Sequence, residues 1–376
     1  MRIVAIEIYG YDVRYAHGNY SMSHGRTVTS LPSTLARVLT DDGLEGWGEA
    51  CPLGPTYLDS FAGGVRAALP MLATALIGLD PCESGQVGAA MDGALRGQNA
   101  AKSALDIACW DLFGRRTGMP LCVLLGGRRV AEIPLYAAVG LGPADEMVAF
   151  SQARIAEGIG ALQLKLGGDP REDAERVRAV RSAVGDDVLI VADANGGWRP
   201  RQALEAARRL RDLDPLLLEQ PCPTLEECLQ VRGLTTLPMS LDEVMIDAAT
   251  LAHAASARAM EAINLKLGRV GGLTPARAMR DLADALGVGC VIEDSWGGDV
   301  VTAAVSHLAA STAPQTLIHA SFMNDWVSDH VAGHHPRSRG GRGAAPEGPG
   351  LGIQVEVQRL GPPLATVTRD ATKGTP

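Results

Sequence analysis

The chain has 376 residues, 46% of them hydrophobic, too many for one ordinary compact domain and enough for one large core plus a smaller one. Its 34 Lys and Arg against 43 Asp and Glu give a net charge of −9 with no basic run, which argues against a nucleic-acid surface and points to a small-molecule partner. No apolar run reaches the ~18 to 20 residues needed to span a bilayer, and seven scattered cysteines without a CxxC pair fit a reducing, cytoplasmic setting.

Residues 3–13 alternate as a strand and carry no signal-peptide core. A polar, aromatic loop follows at 15–25. Residues 33–40 and 46–49 form two more expected strands joined by a hairpin turn at Asp41-Asp42-Gly43. From 61 to 112 the pattern is helical and ends in a stretch rich in small residues. This reads as an α+β capping domain over 1–125.

A different order begins near 133–137, after Gly126-Gly127. Short apolar runs end in Lys165, Asp193, Glu219, Asp242, Lys266 and Glu293-Asp294, at separations of 28, 26, 23, 24 and 27 residues. A strand, a loop, a helix and a second loop need roughly 25 to 30 residues. Helical patterns fill the gaps, for example at 173–180 and 203–210. The expectation is an α/β fold: a (β/α)8-type barrel over 126–350, with polar residues on the C-terminal face where such barrels carry their active sites. Residues 317–319 read as a further strand, 296–299 as a loop at the mouth and 335–350 as a surface loop. Residues 351–357 alternate as a strand, so 351–376 is expected to return to the cap.

Asp193, Glu219 and Asp242 put three carboxylates on adjacent strand ends. One such acid is usually a helix cap or a surface charge, but three in succession behind aliphatic runs make an all-oxygen donor set of the kind Mg²⁺ takes. Lys165 and Lys266 end strands 2 and 6, which face each other in an eight-stranded ring. Each could simply cover the barrel rim with its stem. Flanking a metal-held ligand, desolvated beside the cation, each is expected to have a lowered pKa and to act as base or acid. Paired lysines around a metal-bound carboxylate suit removal of an α-proton, followed by reprotonation from the other face or by loss of a β-leaving group.

At Gln163-Leu164-Lys165, Ala192-Asp193-Ala194-Asn195, Leu218-Glu219-Gln220-Pro221, Leu241-Asp242-Glu243 and Asn264-Leu265-Lys266 the chain resembles the mandelate racemase and muconate lactonizing enzyme family of the enolase superfamily. The resemblance runs over nearly the whole length. It implies catalytic roles for Lys165 and Lys266, Mg²⁺ ligation by Asp193, Glu219 and Asp242, and loops near 15–25 and 49–58 that close over the barrel mouth. The family's Lys-x-Lys motif has Gln163 as its first member here. Homo-oligomers are common in this family, and one is expected.

Residues 292–299 and 51–57 are most similar to members acting on proline derivatives, the cis-3-hydroxy-L-proline dehydratases and the proline-betaine or 4-hydroxyproline-betaine 2-epimerases. An amino-acid-like carboxylate is therefore the expected substrate. Its contacts are expected at Asp294, Glu293, Trp296, Tyr57, Tyr20, Gln163 and Asn195, with Asp294 favoured for the ammonium and Glu293 alternatively pairing with Lys266. The betaine epimerases place a Trp where this chain has Ser321. That tilts the reading toward a secondary amine and dehydration, since a quaternary ammonium favours an aromatic face. A sugar-acid dehydratase would need a late histidine as its acid, for which only His319 offers itself; His319 reads as structural.

Overall fold

Alternating burial along Ile3–Arg14 sets the first sheet. In the computed structural model, which describes residues 1–369, this strand pairs antiparallel with Ser30–Thr40 on one side and Ala365–Thr368 on the other, and Ser30–Thr40 pairs with Glu45–Ala50. The expected hairpin turn is present, with Gly43 at φ 82° and its amide 3.1 Å from the Thr40 carbonyl. Helices Ala62–Leu76, Ser84–Ala94 and Asn99–Thr117 cover one face of the sheet. The last of these lies so close to Glu45–Ala50 that a Cβ on Gly48 would sit 1.8 Å from the Ala104 carbonyl oxygen. The small residues of that helix are what allow this approach.

Eight parallel strands follow in chain order: Tyr136–Val139, Ala161–Lys165, Leu189–Asp193, Leu216–Glu219, Met239–Leu241, Ala262–Lys266, Gly289–Glu293 and Leu317–Ala320. A bridge between Leu135 and Ala320 brings the first and last together, so the ring is nearly closed. The repeat read from the sequence is this ring: each singled-out polar residue ends a strand or directly follows one. None of the three carboxylates caps a helix, since Asp169, Thr224 and Asp247 do that work for the helices starting at 170, 225 and 248.

Two buried carboxylates of the first 125 residues tie the sheet to the barrel. Glu49 accepts from the backbone amides of Gly298 and Val301 at 3.0 Å each, at the start of helix Asp299–Ala310. Asp106 accepts from the Thr274 amide at 2.9 Å, at the start of Leu273–Leu286. A carboxylate at a helix N-terminus satisfies amides that have no partner within the helix and opposes its dipole.

Residues 351–357 correct an expectation. Leu351, Ile353 and Val355 are buried as the alternation requires, yet they form no strand. The Leu351 amide donates instead to Asp111 at 2.8 Å and that of Glu356 to the Val331 carbonyl at 2.7 Å. Alternation reports which side chains are covered, not whether a neighbouring strand is in reach. The return to the first sheet is made by Ala365–Thr368. Within 335–350, read as an ordered or mobile surface loop, Arg342–Gly343 pairs with Ile133–Pro134. Among the described residues no helix is long and apolar enough to cross a membrane.

Close approach at Gly48 has a measurable consequence. Gly48→Ala should lower stability by about 1 to 3 kcal/mol through overpacking. Gly85→Ala, in helix Ser84–Ala94 with nothing within 4 Å of the added methyl, should be neutral or stabilising by up to about 1 kcal/mol. Thermal unfolding of the two variants distinguishes these outcomes.

Candidate active site

Side chains two apart on a strand share a face, so Gln163 and Lys165 both point into the ring, as do Asn264 and Lys266. Glu219 stands between them, two strands from each. Gln163 Nε2 lies 3.0 Å from both Glu219 carboxylate oxygens, and Asn264 Nδ2 donates to Glu219 Oε1 at 3.0 Å. Lys165 makes a short ion pair with Asp193. Lys266 donates to Asp242 Oδ2 at 2.8 Å, and Arg269 Nη1 lies 2.6 Å from Asp242 Oδ1. All of these groups are buried.

Electrostatics follow from that partnering. Glu219 has only neutral amides as hydrogen-bond donors, and burial, then Asp193 and Asp242, push its carboxyl well above the usual range. Burial would also raise Asp242, but Arg269 and Lys266 outweigh it and hold the group below the ordinary value. For both lysines burial works downward, yet Asp193 at Lys165 and Asp242 at Lys266 win, and each is raised. The sequence reading had both lysines lowered beside a cation. With the carboxylates turned onto the amines the sign is opposite, because each ammonium has an anion in contact within a low-dielectric site.

The donor set suits Mg²⁺: three carboxylates from adjacent strands and no imidazole or thiolate. The raised Glu219 marks a site with too much buried negative charge for its neutral donors, which a divalent cation would relieve. As the side chains stand, Asp193 and Asp242 face their cations, and no three His, Cys, Asp or Glu side chains among the described residues are gathered as a ready metal cage.

Lys165 and Lys266 line one small cavity together with Tyr20, Tyr57, Gln163, Glu293, Asp294 and Trp296. Both loops, through Tyr20 and Tyr57, reach the mouth. Tyr57 OH donates to Asp242 Oδ2 at 3.1 Å and accepts from Lys266 Nζ at 3.0 Å. Asn195 stands off this wall and donates to Glu243 Oε1 at 3.0 Å. Glu293 accepts from Asn264 at 2.8 Å and from Tyr136, and lies 3.5 Å from Lys266. Asp294 is held only by the amides of Gly268 and Ser295 at 2.9 and 2.6 Å, and burial pushes it up to about 7.

Four residues escaped the sequence reading: Arg269, Asn264, Tyr136 and Glu243. Asn264 was within reach, being two residues before Lys266 on the same strand face. Tyr136 ends no polar motif, and Arg269 folds back to Asp242 from the turn after its strand. Glu243, pushed up to about 7 by burial and then by Asp242 and Asp193, looked like the neighbour of a ligand and nothing more.

Comparison with known proteins places the fold and family. Residues 5–126 match the mandelate racemase / muconate lactonizing enzyme N-terminal domain, and residues 146–359 the enolase C-terminal domain-like family. A cis-3-hydroxy-L-proline dehydratase from Roseibium aggregatum is 43% identical over 97% of this chain and 99% of its own length. An enolase-superfamily member from Roseovarius nubinhibens, crystallised with magnesium, superposes with a TM-score of 0.92 at 34% identity, covering 98% of this chain and 100% of that one. A dipeptide epimerase from Enterococcus faecalis, crystallised with Mg and L-Leu-L-Tyr, gives 0.87 at 27% identity over 94% and 100%.

His319 is outside the cavity wall, packed 4.8 Å from the Tyr136 ring, and burial pushes it down to about 3. It is therefore neutral at ordinary pH and no source of a proton. Because its folded value is below the unfolded one, its stabilising contribution is complete above about pH 6.5 and is lost as pH falls toward 3. Between pH 7 and 5 this amounts to about 2 kcal/mol at most. A smaller fall in unfolding temperature over that range is expected for His319→Gln than for the parent chain. Equal falls would show that His319 does not titrate as a buried neutral ring.

Proposed function

The chain belongs to the mandelate racemase and muconate lactonizing enzyme family of the enolase superfamily, and from that premise we propose that it is a Mg²⁺-dependent lyase that dehydrates cis-3-hydroxy-L-proline. The observation that carries this reading is the pair Lys165 and Lys266, on strands opposite each other in the ring and both in the wall of one small cavity. The 43% identical dehydratase supports the same substrate.

Asp193, Glu219 and Asp242 would hold the metal. When bound, Mg²⁺ would supply positive charge where the substrate carboxylate gains a second negative charge, and Asp193 and Asp242 would turn from the lysines toward it. One lysine, as free amine, takes the C2 proton. In the cis isomer the hydroxyl shares a ring face with the carboxylate, so the C2 hydrogen lies on the other face and elimination is anti. The second lysine gives its proton to the departing hydroxyl as the C3–O bond breaks, so water leaves. The resulting C2=C3 enamine transfers its N–H proton to C3 and becomes a cyclic imine carboxylate.

Asp294 is assigned to the substrate ammonium, because Glu293 is already engaged by Lys266, Asn264 and Tyr136. Gln163 holds Glu219 through amide hydrogen bonds where the family's lysine would add charge. Seven free thiols fit a reducing cytoplasm. A second reading, 2-epimerisation of proline or of a proline betaine, uses the same lysines and is favoured by the aromatic wall of Tyr20, Tyr57, Tyr136, Trp296 and Trp326, which suits an ammonium.

Proton NMR in D₂O with Mg²⁺ and cis-3-hydroxy-L-proline separates the two. Dehydration removes the C2 proton and the carbinol C3 proton signal together, whereas deuterium at C2 with the hydroxyl retained would sink the lyase reading. Chelation of Mg²⁺ should abolish turnover, and Glu219→Gln should weaken Mg²⁺ binding at least about tenfold, as expected when one of three carboxylate ligands is lost.

A further inference from the structure

A second and larger chamber, about 900 Å³ with its open mouth, adjoins the catalytic cavity. Leu53, Tyr57, Asp294 and Ser295 line both and form the partition. One end of the chamber is positive in character. The 19-residue helix Asn99–Thr117 begins there, and no side chain caps its first amides. Beside it stands Arg269, 8% exposed, whose Nε has no hydrogen-bond partner although the rest of its guanidinium is engaged by Asp242 and Tyr57. Asn99 Nδ2 ties the helix start to the Arg269 carbonyl at 2.8 Å.

The opposite character comes from Glu243 and Asp294. Glu243 Oε2 is buried without a partner, while its other oxygen accepts from Asn195. A buried donor and a buried acceptor left unpaired in one chamber are costly unless something meets them. A helix N-terminus with an arginine receives a carboxylate, and two carboxyl groups receive an ammonium. The molecule that offers both is a free α-amino acid.

We propose that this chamber is a holding site for the amino-acid zwitterion, with its carboxylate toward the Asn99 helix start and Arg269 and its ammonium toward Glu243 and Asp294. From there the molecule passes to the lysines when Tyr57 leaves Asp242 and Lys266. Tyr57 is thus a positioning residue: its hydroxyl latches the partition onto the catalytic lysine and one carboxylate. The inference rests on the amino-acid substrate proposed above and adds where that substrate first binds. It also explains why Asp294 faces both spaces, since an ammonium handed from one to the other keeps the same carboxylate.

Ile246, 51% exposed, and Ser60 line the chamber from the barrel side and the lid side, away from the lysines. Ile246→Trp and Ser60→Trp should each lower kcat/KM for cis-3-hydroxy-L-proline at least about tenfold while kcat stays within about twofold, since capture and not chemistry is obstructed. An unfolding temperature equal to the parent's establishes that the variants fold. Unchanged kcat/KM in both variants overturns the holding site while leaving the lyase reading intact. Should the parent chain not dehydrate this compound, the lyase reading falls and calorimetric titration of the Mg²⁺-loaded protein with L-proline decides the chamber. Weakened binding in Ile246→Trp then sustains the holding site, and unchanged binding overturns it.

Discussion

Burial of like charge at the mouth of the barrel is the constraint on which the rest of the structure depends. Three carboxylates, at most 1% exposed, lie at the ends of three neighbouring strands, and isolated charges there would cost several kcal/mol each. Lys165, Lys266 and Arg269 answer two of them, and the amides of Gln163 and Asn264 answer the third. A cation held by the three carboxylates, as proposed above, would relieve the imbalance left at Glu219. The lysines proposed to move protons are the ones paired with Asp193 and Asp242, so the proposed metal ligands also orient them.

The scaffold separates this tension from the elements that carry stability. Barrel strands are short and mostly aliphatic, with Gln163, Ser240 and Asn264 as inward-facing exceptions, and helix starts are capped by residues other than the ligands. Glu49 and Asp106 use buried carboxylates for a structural end, fastening the first sheet and its helices to two barrel helices. Fixed in this way, the sheet can extend Tyr20 and Tyr57 across the mouth. The Tyr57 hydroxyl thereby meets Lys266 Nζ at 3.0 Å.

Much of this was legible in the chain. The barrel shows because a strand, helix and two loops consume a nearly constant length, so Lys165, Asp193, Glu219, Asp242 and Lys266 recur at that length. The metal-type carboxylates show because aliphatic runs isolate them. What was hidden depends on folding back or on context. Arg269 reaches Asp242 from a turn, and its position three residues after Lys266 carries no sign of that contact. Glu243 became visible as chemistry only when one of its oxygens proved buried without a partner. Residues 351–357 alternate like a strand but satisfy their backbone on Asp111 and Val331. The direction of the lysine shifts likewise depends on whether a carboxylate or a cation is the nearer neighbour.

The central claim is that the two lysines serve opposite faces of one substrate ring, one at the C2 hydrogen and the other at the C3 hydroxyl. The most direct measurement follows C2 deuterium uptake and loss of water separately in Lys165→Ala and Lys266→Ala, each loaded with Mg²⁺. The account expects one variant to keep C2 exchange while losing dehydration and the other to lose both, because only one lysine faces the C2 hydrogen. Turnover retained in either variant, or identical partial defects in both, would contradict it.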